Sequence, residues 1–295
     1  MFMPRTDLAL EAAMLSVRKP DEKIDGVETD VYTKDNIKVT RVKITNKNGE
    51  KKIGKVKGNY ITIECEDLRY CDETTKESVT DVFAKELKKV VCIHPHNVVF
   101  VVGLGNRFIT PDSLGPNVSD GINVSRHLSD EGVRLCTVSP GVLGITGIET
   151  GEIIEGVSNR IKPDIIIAID ALAARSMQRI CTTIQIADTG IAPGAGVGNR
   201  RKELSKATLG VPVIAVGVPT VVDAATVAND SVEHIFESVF KETDMDSSLF
   251  NEDNRYALVK KVLSPYFGEL IVTPSQIDSV IANVAKIISE GINRL

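Results

Sequence analysis

Two aspartates placed just beyond strongly apolar segments are the residues best suited to chemistry in this chain. Asp112 lies in Thr110-Pro111-Asp112-Ser113-Leu114-Gly115-Pro116, shortly after the run Asn97 to Asn106 (NVVFVVGLGN). Asp170 closes the run Asp164 to Asp170 (DIIIAID) and opens Ala171 to Ser176 (ALAARS). Like charges at close range push their pKa values apart, so two such carboxylates can serve one as base and one as acid on an attacking water. Hydrolysis is therefore the first expectation. Asp188 repeats the placement after Gln185-Ile186-Ala187 and is a third candidate acid. Asp112 could instead be a turn or N-cap residue behind Pro111. Asp170, in a largely apolar setting, needs a hydrogen-bond partner, a counter-ion or a raised pKa.

The loop from Thr189 to Asn199 carries Gly190, Gly194, Gly196 and Gly198 and runs into Arg200-Arg201-Lys202. Its backbone N–H groups, Gly194 and Gly196 among them, could bind an extended peptide or an oxyanion. The plainer reading is a flexible connection with a basic end. Arg175 could pair with a site carboxylate or a substrate acid, or lie on the surface. Gly103-Leu104-Gly105 after an apolar run invites a dinucleotide reading, but Phe108 stands where a third glycine is needed and no ribose-binding acid follows at the right distance. His94, His96, His127 and His234 have no metal-ligand spacing, no G-x-S-x-G elbow is present, and the cysteines have no evident base.

The elements that must position these groups read as a βαβ chain. The sequence predicts alternating, half-wet strands at Val27–Tyr32, Ile37–Thr45 and Asn59–Glu66, with a turn at Asn46–Gly49, then a helix over Glu73–Val91. Continuous apolar strands follow at Val98–Leu104, Leu135–Val138, Ile165–Ile169, Gln185–Ala187 and Val213–Val218. Helices are expected at Leu8–Arg18, within Gly121–Leu128, at Gly151–Arg160, at Asp223–Phe240 with Asp223 as N-cap, and at Ile277–Ile292. Glu242–Arg255 reads as an exposed acidic loop. The fold class is α/β: a mostly parallel sheet flanked by helices on both faces, with a small N-terminal antiparallel β subdomain or edge extension. The 295 residues suit a single domain, with antiparallel strands over 26–67 and an α/β core over 91–295.

Composition narrows the function. The chain is 42% hydrophobic and 25% charged with net charge -5, which gives no general attraction to nucleic acid or to an anionic membrane. It has no apolar stretch of membrane-spanning length and no secretory signal pattern at its N-terminus. Five scattered cysteines without a C-x-x-C pair argue against a zinc site or a disulfide framework. A cytoplasmic protein without a cofactor is expected.

Five blocks resemble the germination protease family of spore-forming bacteria. They are Arg5 to Ala12 (RTDLALEA), Gly103 to Asn106 with Thr110 to Pro116, Ile169 to Ser176, Ile186 to Arg200, and Gly217 to Ala224 (GVPTVVDA). They come in the expected order across nearly the whole chain. The resemblance implies an endopeptidase that degrades small acid-soluble spore proteins during germination, in the spore core. It also implies a homotetramer, made as a zymogen that removes its own short N-terminal segment, and a sheet core like that of hydrogenase maturation proteases. By the same resemblance the two aspartates of this atypical aspartic family fall on Asp112 and Asp170. Arg5-Thr-Asp-Leu-Ala-Leu-Glu11 resembles a substrate stretch, so cleavage is expected between Asp7 and Leu8, with residues 1–7 as the propeptide. Asp188-Thr189-Gly190 is not to be read as the Asp-Thr-Gly of pepsin-like enzymes. Two rival readings stay open: a metal-dependent or metal-sensing peptidase of the hydrogenase maturation type, and a non-catalytic binding module.

Overall fold

The computed structural model describes residues 7–8, 11, 24–128, 132–192, 203–232, 259, 261–262 and 270–295. Three antiparallel strands open the described chain: β1 (Val27–Lys34), β2 (Ile37–Ile44) and β3 (Gly58–Glu64). Alternation of apolar and polar residues along β2 is the pattern of a strand with one wet face, and Ile37, Val39, Val42 and Ile44 are buried accordingly. A helix, α1 (Lys47–Ile53), joins β2 to β3 where the sequence predicts only a turn. Asn46 explains it. Its side-chain oxygen accepts the N–H groups of Asn48 and Gly49, both at 2.9 Å, which caps a helix start rather than closing a hairpin.

After α2 (Glu73–Val90) the order is β4 (Val98–Gly103), α3 (Leu114–Asp120), β5 (Arg134–Val138), α4 (Leu143–Thr146), α5 (Thr150–Ile161) and β6 (Ile165–Ala174). Then come β7 (Thr183–Ala187), α6 (Lys206–Leu209), β8 (Val213–Asp223), β9 (Ile271–Val272) and α7 (Ile277–Asn293), with a further helical stretch at 224–232. All strands join one sheet in the order β1-β2-β3-β7-β8-β6-β4-β5, with β9 on the end of β8. Pairings among β5, β4, β6 and β8 are parallel, and those of β1, β2, β3, β7 and β9 are antiparallel. Parallel strands thus hold the centre, and the N-terminal strands extend one edge through the pairing of β3 with β7.

Both faces are covered. Ile165, Ile167 and Ile169 of β6 pack in one cluster with Phe83 and Leu87 of α2, Val118 of α3 and the α7 residues Val284 and Ile288. Ile166 and Ala168 point the other way, toward Ile154 of α5. The expected helix within Gly121–Leu128 lies earlier, as α3. Pro116 is tolerated in its first turn. Two glycines let α3 lie against the end of β4: a Cβ on Gly103 would meet the Gly115 oxygen at 2.1 Å, and one on Gly115 the Leu104 oxygen at 2.2 Å.

A second departure concerns Asp170. It lies inside β6, which runs on to Ala174, and not at the strand's end. Ala171-Leu-Ala-Ala favours helix intrinsically, yet β8 continues beside it to the pair Ala174↔Val222, with a bulge between Leu172 and Ala173. Tertiary pairing overrides a propensity of a few tenths of a kcal/mol per residue (order of magnitude). The helix expected from Asp223 begins as predicted, helical over 224–232 with the Asp223 carboxylate accepting the Ala225 N–H at 2.8 Å, and its remainder, most of the predicted N-terminal helix and the acidic loop lie outside the described residues.

Candidate active site

One cavity of about 530 Å³ is lined by Asp7, Lys55, Asp112, Asp170, Gln185 and Gly217, among others. It opens on the sheet face opposite α2, α3 and α7. Asp170, Gly217 and Gln185 stand side by side on β6, β8 and β7, because Asp170 pairs with Gly217 and Gln185 pairs with Gly217. Paired residues project to the same face. The middle position carries no side chain, and Leu172 covers it between the two polar groups. Ile184 and Ile186 point to the helical face and are fully buried there, which leaves Gln185 and Ala187 toward the cavity.

Asp112 reaches the cavity by a different route. Beyond β4 the chain makes a turn at Gly105 (φ +109°) and then a short 3-10 helix, Thr110–Asp112. The Asn106 N–H donates both to the Asp112 carbonyl, at 3.0 Å, and to its carboxylate Oδ2, at 2.8 Å. A Cβ on Gly105 would lie 2.1 Å from the Asp112 carbonyl oxygen, so this close approach requires glycine. Asp170 is buried, at 7% exposure, and its Oδ1 accepts the Ala171 N–H at 3.0 Å. The two aspartates expected to form a pair therefore come from different elements and share one cavity.

The N-terminal segment is seated in the same place. The N–H of Asp7 donates to the Ala173 carbonyl at 3.2 Å, and the Asp7 carboxylate accepts the Ala173 N–H at 3.0 Å. Leu8 is fully buried against Leu172 and Ala174. Glu11 accepts the N–H groups of Arg175, at 2.8 Å, and Ser176, at 3.0 Å, and pairs with Arg179 at 3.5 Å. Asp7, Leu8 and Glu11 are thus held along the far end of β6, where β4 no longer covers its edge.

The other candidates lie elsewhere. Asp188 sits just past β7, where its carboxylate accepts the backbone N–H of Asn59 at 2.8 Å and the Asn59 side-chain amide at 2.6 Å, tying β3 to β7. It does not line the cavity, although its neighbours Thr189 and Gly190 do. The Arg175 guanidinium is paired with Asp230 at 2.8 Å, and its backbone N–H donates to Glu11 of the N-terminal segment. Gly194 and Gly196 lie outside the described residues. Among the described residues, no three of His, Cys, Asp and Glu gather as metal ligands, and no helix is long and apolar enough to cross a membrane.

Two cavity residues gave little warning in the sequence. Lys55 follows α1 within a lysine-rich stretch that reads as solvated surface. In the structure Gly54 caps α1 in the left-handed conformation, Lys57 N–H donates to Glu50 at 2.7 Å, and the Tyr60 hydroxyl donates to the Val56 carbonyl at 2.7 Å. These bonds fix the loop so that Lys55 enters the cavity, where burial pushes its ammonium below the usual lysine range. Gln185 left a weak signal, as the one amide in the strand Thr183–Ala187.

Residues 5–252 match the germination protease family. The chain is 51% identical to the germination protease of Clostridium tetani over 98% of this chain and 94% of that protein. It is 48% identical to that of Clostridium acetobutylicum, over 98% and 94% respectively. With the germination protease of Bacillus licheniformis it shares 41% identity, over 99% of this chain and 93% of that one. A [NiFe] hydrogenase maturation protease from Thermococcus kodakarensis gives a TM-score of 0.35 at 18% identity, covering 70% of this chain and 98% of that one.

Proposed function

The chain belongs to the germination protease family, and from that premise we propose an endopeptidase that uses Asp112 and Asp170 as a proton-sharing pair. Family membership makes it a protease of spore germination with protein substrates. The proposed substrates are small acid-soluble spore proteins, and the proposed first substrate is the chain itself, at Asp7–Leu8. Assembly as a homotetramer in the spore core belongs to the same reading.

The observation that carries the proposal is that Asp112, Asp170 and Asp7 line one cavity. One carboxylate, ionised, takes a proton from water as its oxygen attacks the peptide carbonyl carbon. The other, protonated, donates to the leaving nitrogen as the C–N bond breaks. The protons then redistribute within the pair, which titrates as a unit. Burial of Asp170 makes its charge count for more than it would in solvent.

Purified full-length Asp112→Asn and Asp170→Asn proteins test the reading. Each is expected to lose at least ~10³-fold in self-cleavage and in turnover of a spore protein, as removal of a positioned acid or base does. N-terminal sequencing of matured parent protein is expected to begin at Leu8. Parent-like turnover by either variant, or a different first residue, overturns the corresponding part.

A further inference from the structure

The geometry points to Lys55 and Gln185 as an oxyanion site for the bond that is cut: the Lys55 ammonium and the Gln185 amide both donate to the carbonyl oxygen of Asp7. The distances are 3.0 Å from Lys55 Nζ and 3.4 Å from Gln185 Nε2. This inference rests on the reading that Asp7–Leu8 is the bond hydrolysed.

Neither contact is needed to dock the segment. The Asp7 N–H and carboxylate are already satisfied by Ala173, Leu8 is buried, and Glu11 is held by Arg175, Ser176 and Arg179. What remains of Asp7 is its carbonyl, and the two donors converge on that oxygen from the loop after α1 and from the middle of β7. Gln185 stands on β7 one strand beyond Gly217 from Asp170, so the carbonyl lies over the same row as one of the proposed catalytic carboxylates. A mobile lysine would pay rotamer entropy to reach such a position. Lys55 is on a loop fixed by Gly54, Glu50 and Tyr60, so its placement precedes the reaction.

The chemical step then balances without further reactants. Water oxygen forms a bond to the Asp7 carbonyl carbon while the ionised aspartate of the pair takes a water proton, and the C=O π pair moves onto the Asp7 oxygen, whose negative charge Lys55 and Gln185 stabilise. The pair returns as the bond to the Leu8 nitrogen breaks, and that nitrogen takes a proton from the acid of the pair. Donors aimed at a developing oxyanion in a water-poor site are worth more in the transition state than in the ground state. Lys55 must be protonated for this role, and its burial lowers the pH at which the proton is lost. The rate should therefore fall on the alkaline side, within the range below ordinary lysine titration.

The test measures the first-order rate of self-cleavage of full-length Lys55→Met, Lys55→Arg and Gln185→Leu proteins by intact mass, across pH. Hydrogen exchange at the Arg175 and Ser176 amides, which donate to Glu11, reports whether the segment stays docked. Expected results are a fall of about 10²–10³-fold for Lys55→Met and roughly tenfold for Gln185→Leu, with those amides still protected. Lys55→Arg should recover part of the rate and lose the alkaline fall, because guanidinium does not deprotonate there. Rates within about threefold of the parent, loss of protection in step with the rate, or an unchanged alkaline limb in Lys55→Arg would each overturn the inference. If Asp170→Asn still matures, or maturation begins at another residue, the underlying reading falls and the inference with it. If Asp170→Asn is arrested while Lys55→Met matures normally, only the inference falls.

Discussion

Asp7 and Ala173 bind each other twice: the N–H of Asp7 donates to the Ala173 carbonyl, and the N–H of Ala173 donates to the Asp7 carboxylate. The ring forms at the β6 bulge, where pairing with β8 is out of step and where β4 has already ended. An edge left open by the sheet is thus closed by the chain's own N-terminal segment. An exposed strand edge accepts any extended peptide through its backbone groups. On the proposed function, the same edge would receive the N-terminal segment first and a spore protein afterwards.

Replacing the carboxylate tests how much that ring contributes. Asp7→Ala leaves the Ala173 N–H without this acceptor, a loss of about 1–2 kcal/mol for a bond to a charged group. Self-cleavage should slow roughly tenfold, with the Ala173 amide exchanging faster. Global unfolding should move by no more than that ~1–2 kcal/mol. A parent-like maturation rate would mean that Leu8 and Glu11 alone hold the register.

Gly105 carries the position of Asp112. In Gly105→Ala the new Cβ has a positive φ to bear and an Asp112 carbonyl oxygen at 2.1 Å, so the 3-10 turn must shift. We expect a stability loss of about 1–3 kcal/mol and an activity loss of about 10²-fold, since an ångström of misplacement is enough. Gly147→Ala is the control. It has φ +70° but open space around the new Cβ, so it should cost only ~1 kcal/mol and keep activity. Equal activity losses in the two variants would mean that strain, and not displacement of Asp112, is responsible.

Gly217 separates Asp170 from Gln185 and is covered by Leu172. A Cβ there would meet Leu172 Cδ1 at 2.4 Å. Leu172 packs on Leu8, so Gly217→Ala should push the N-terminal segment out of its seat. Overpacking of this kind costs about 1–3 kcal/mol. The measurable outcome is loss of hydrogen-exchange protection at Arg175 and Ser176, ahead of any change in the distant β1–β2 edge. Retained protection would show that Leu172 finds another rotamer.

Much of this was legible from residue patterns, and the failures have particular causes. Uninterrupted apolar runs such as Val98–Gly103 and Ile165–Ile169 mark strands buried on both faces, and the structure pairs them as parallel neighbours. Asp112 and Asp170 stand out because carboxylates beside such runs are costly without a role. The extension of β6 through Ala171–Ala174 was hidden, because helix-favouring residues are held extended by β8 and by Asp7, partners remote in sequence. Lys55 was hidden for a related reason. It looks like its neighbours Lys51, Lys52 and Lys57, and only the αL cap at Gly54 and the bonds of Glu50 and Tyr60 turn it inward.

Stability at low pH should depend on a carboxylate far from the cavity. Glu86 of α2 has no exposed side-chain surface, yet it accepts hydrogen bonds from Arg41 at 2.8 and 2.9 Å, Lys89 at 2.8 Å and Tyr32 at 3.0 Å. Burial alone would raise its carboxyl, but these donors together outweigh that and hold it below the usual glutamate range. The folded state then binds fewer protons here than the unfolded chain does. The stabilisation is fully present above the ordinary glutamate pKa of ~4.3 and is lost as pH falls through the depressed folded value. Urea midpoints taken from pH 7 down to pH 3 should therefore decline for the parent protein. In Glu86→Gln the decline should be shallower, from a lower starting stability. Arg41→Leu leaves Glu86 buried with fewer donors. Because Arg41 keeps 30% of its side-chain surface exposed, the cost is expected at about 2 kcal/mol, under the ~3–5 kcal/mol of a fully enclosed pair. Parallel pH profiles for parent and Glu86→Gln would place the acid sensitivity elsewhere. A midpoint unchanged in Arg41→Leu would mean that Lys89 and Tyr32 suffice to hold the charge.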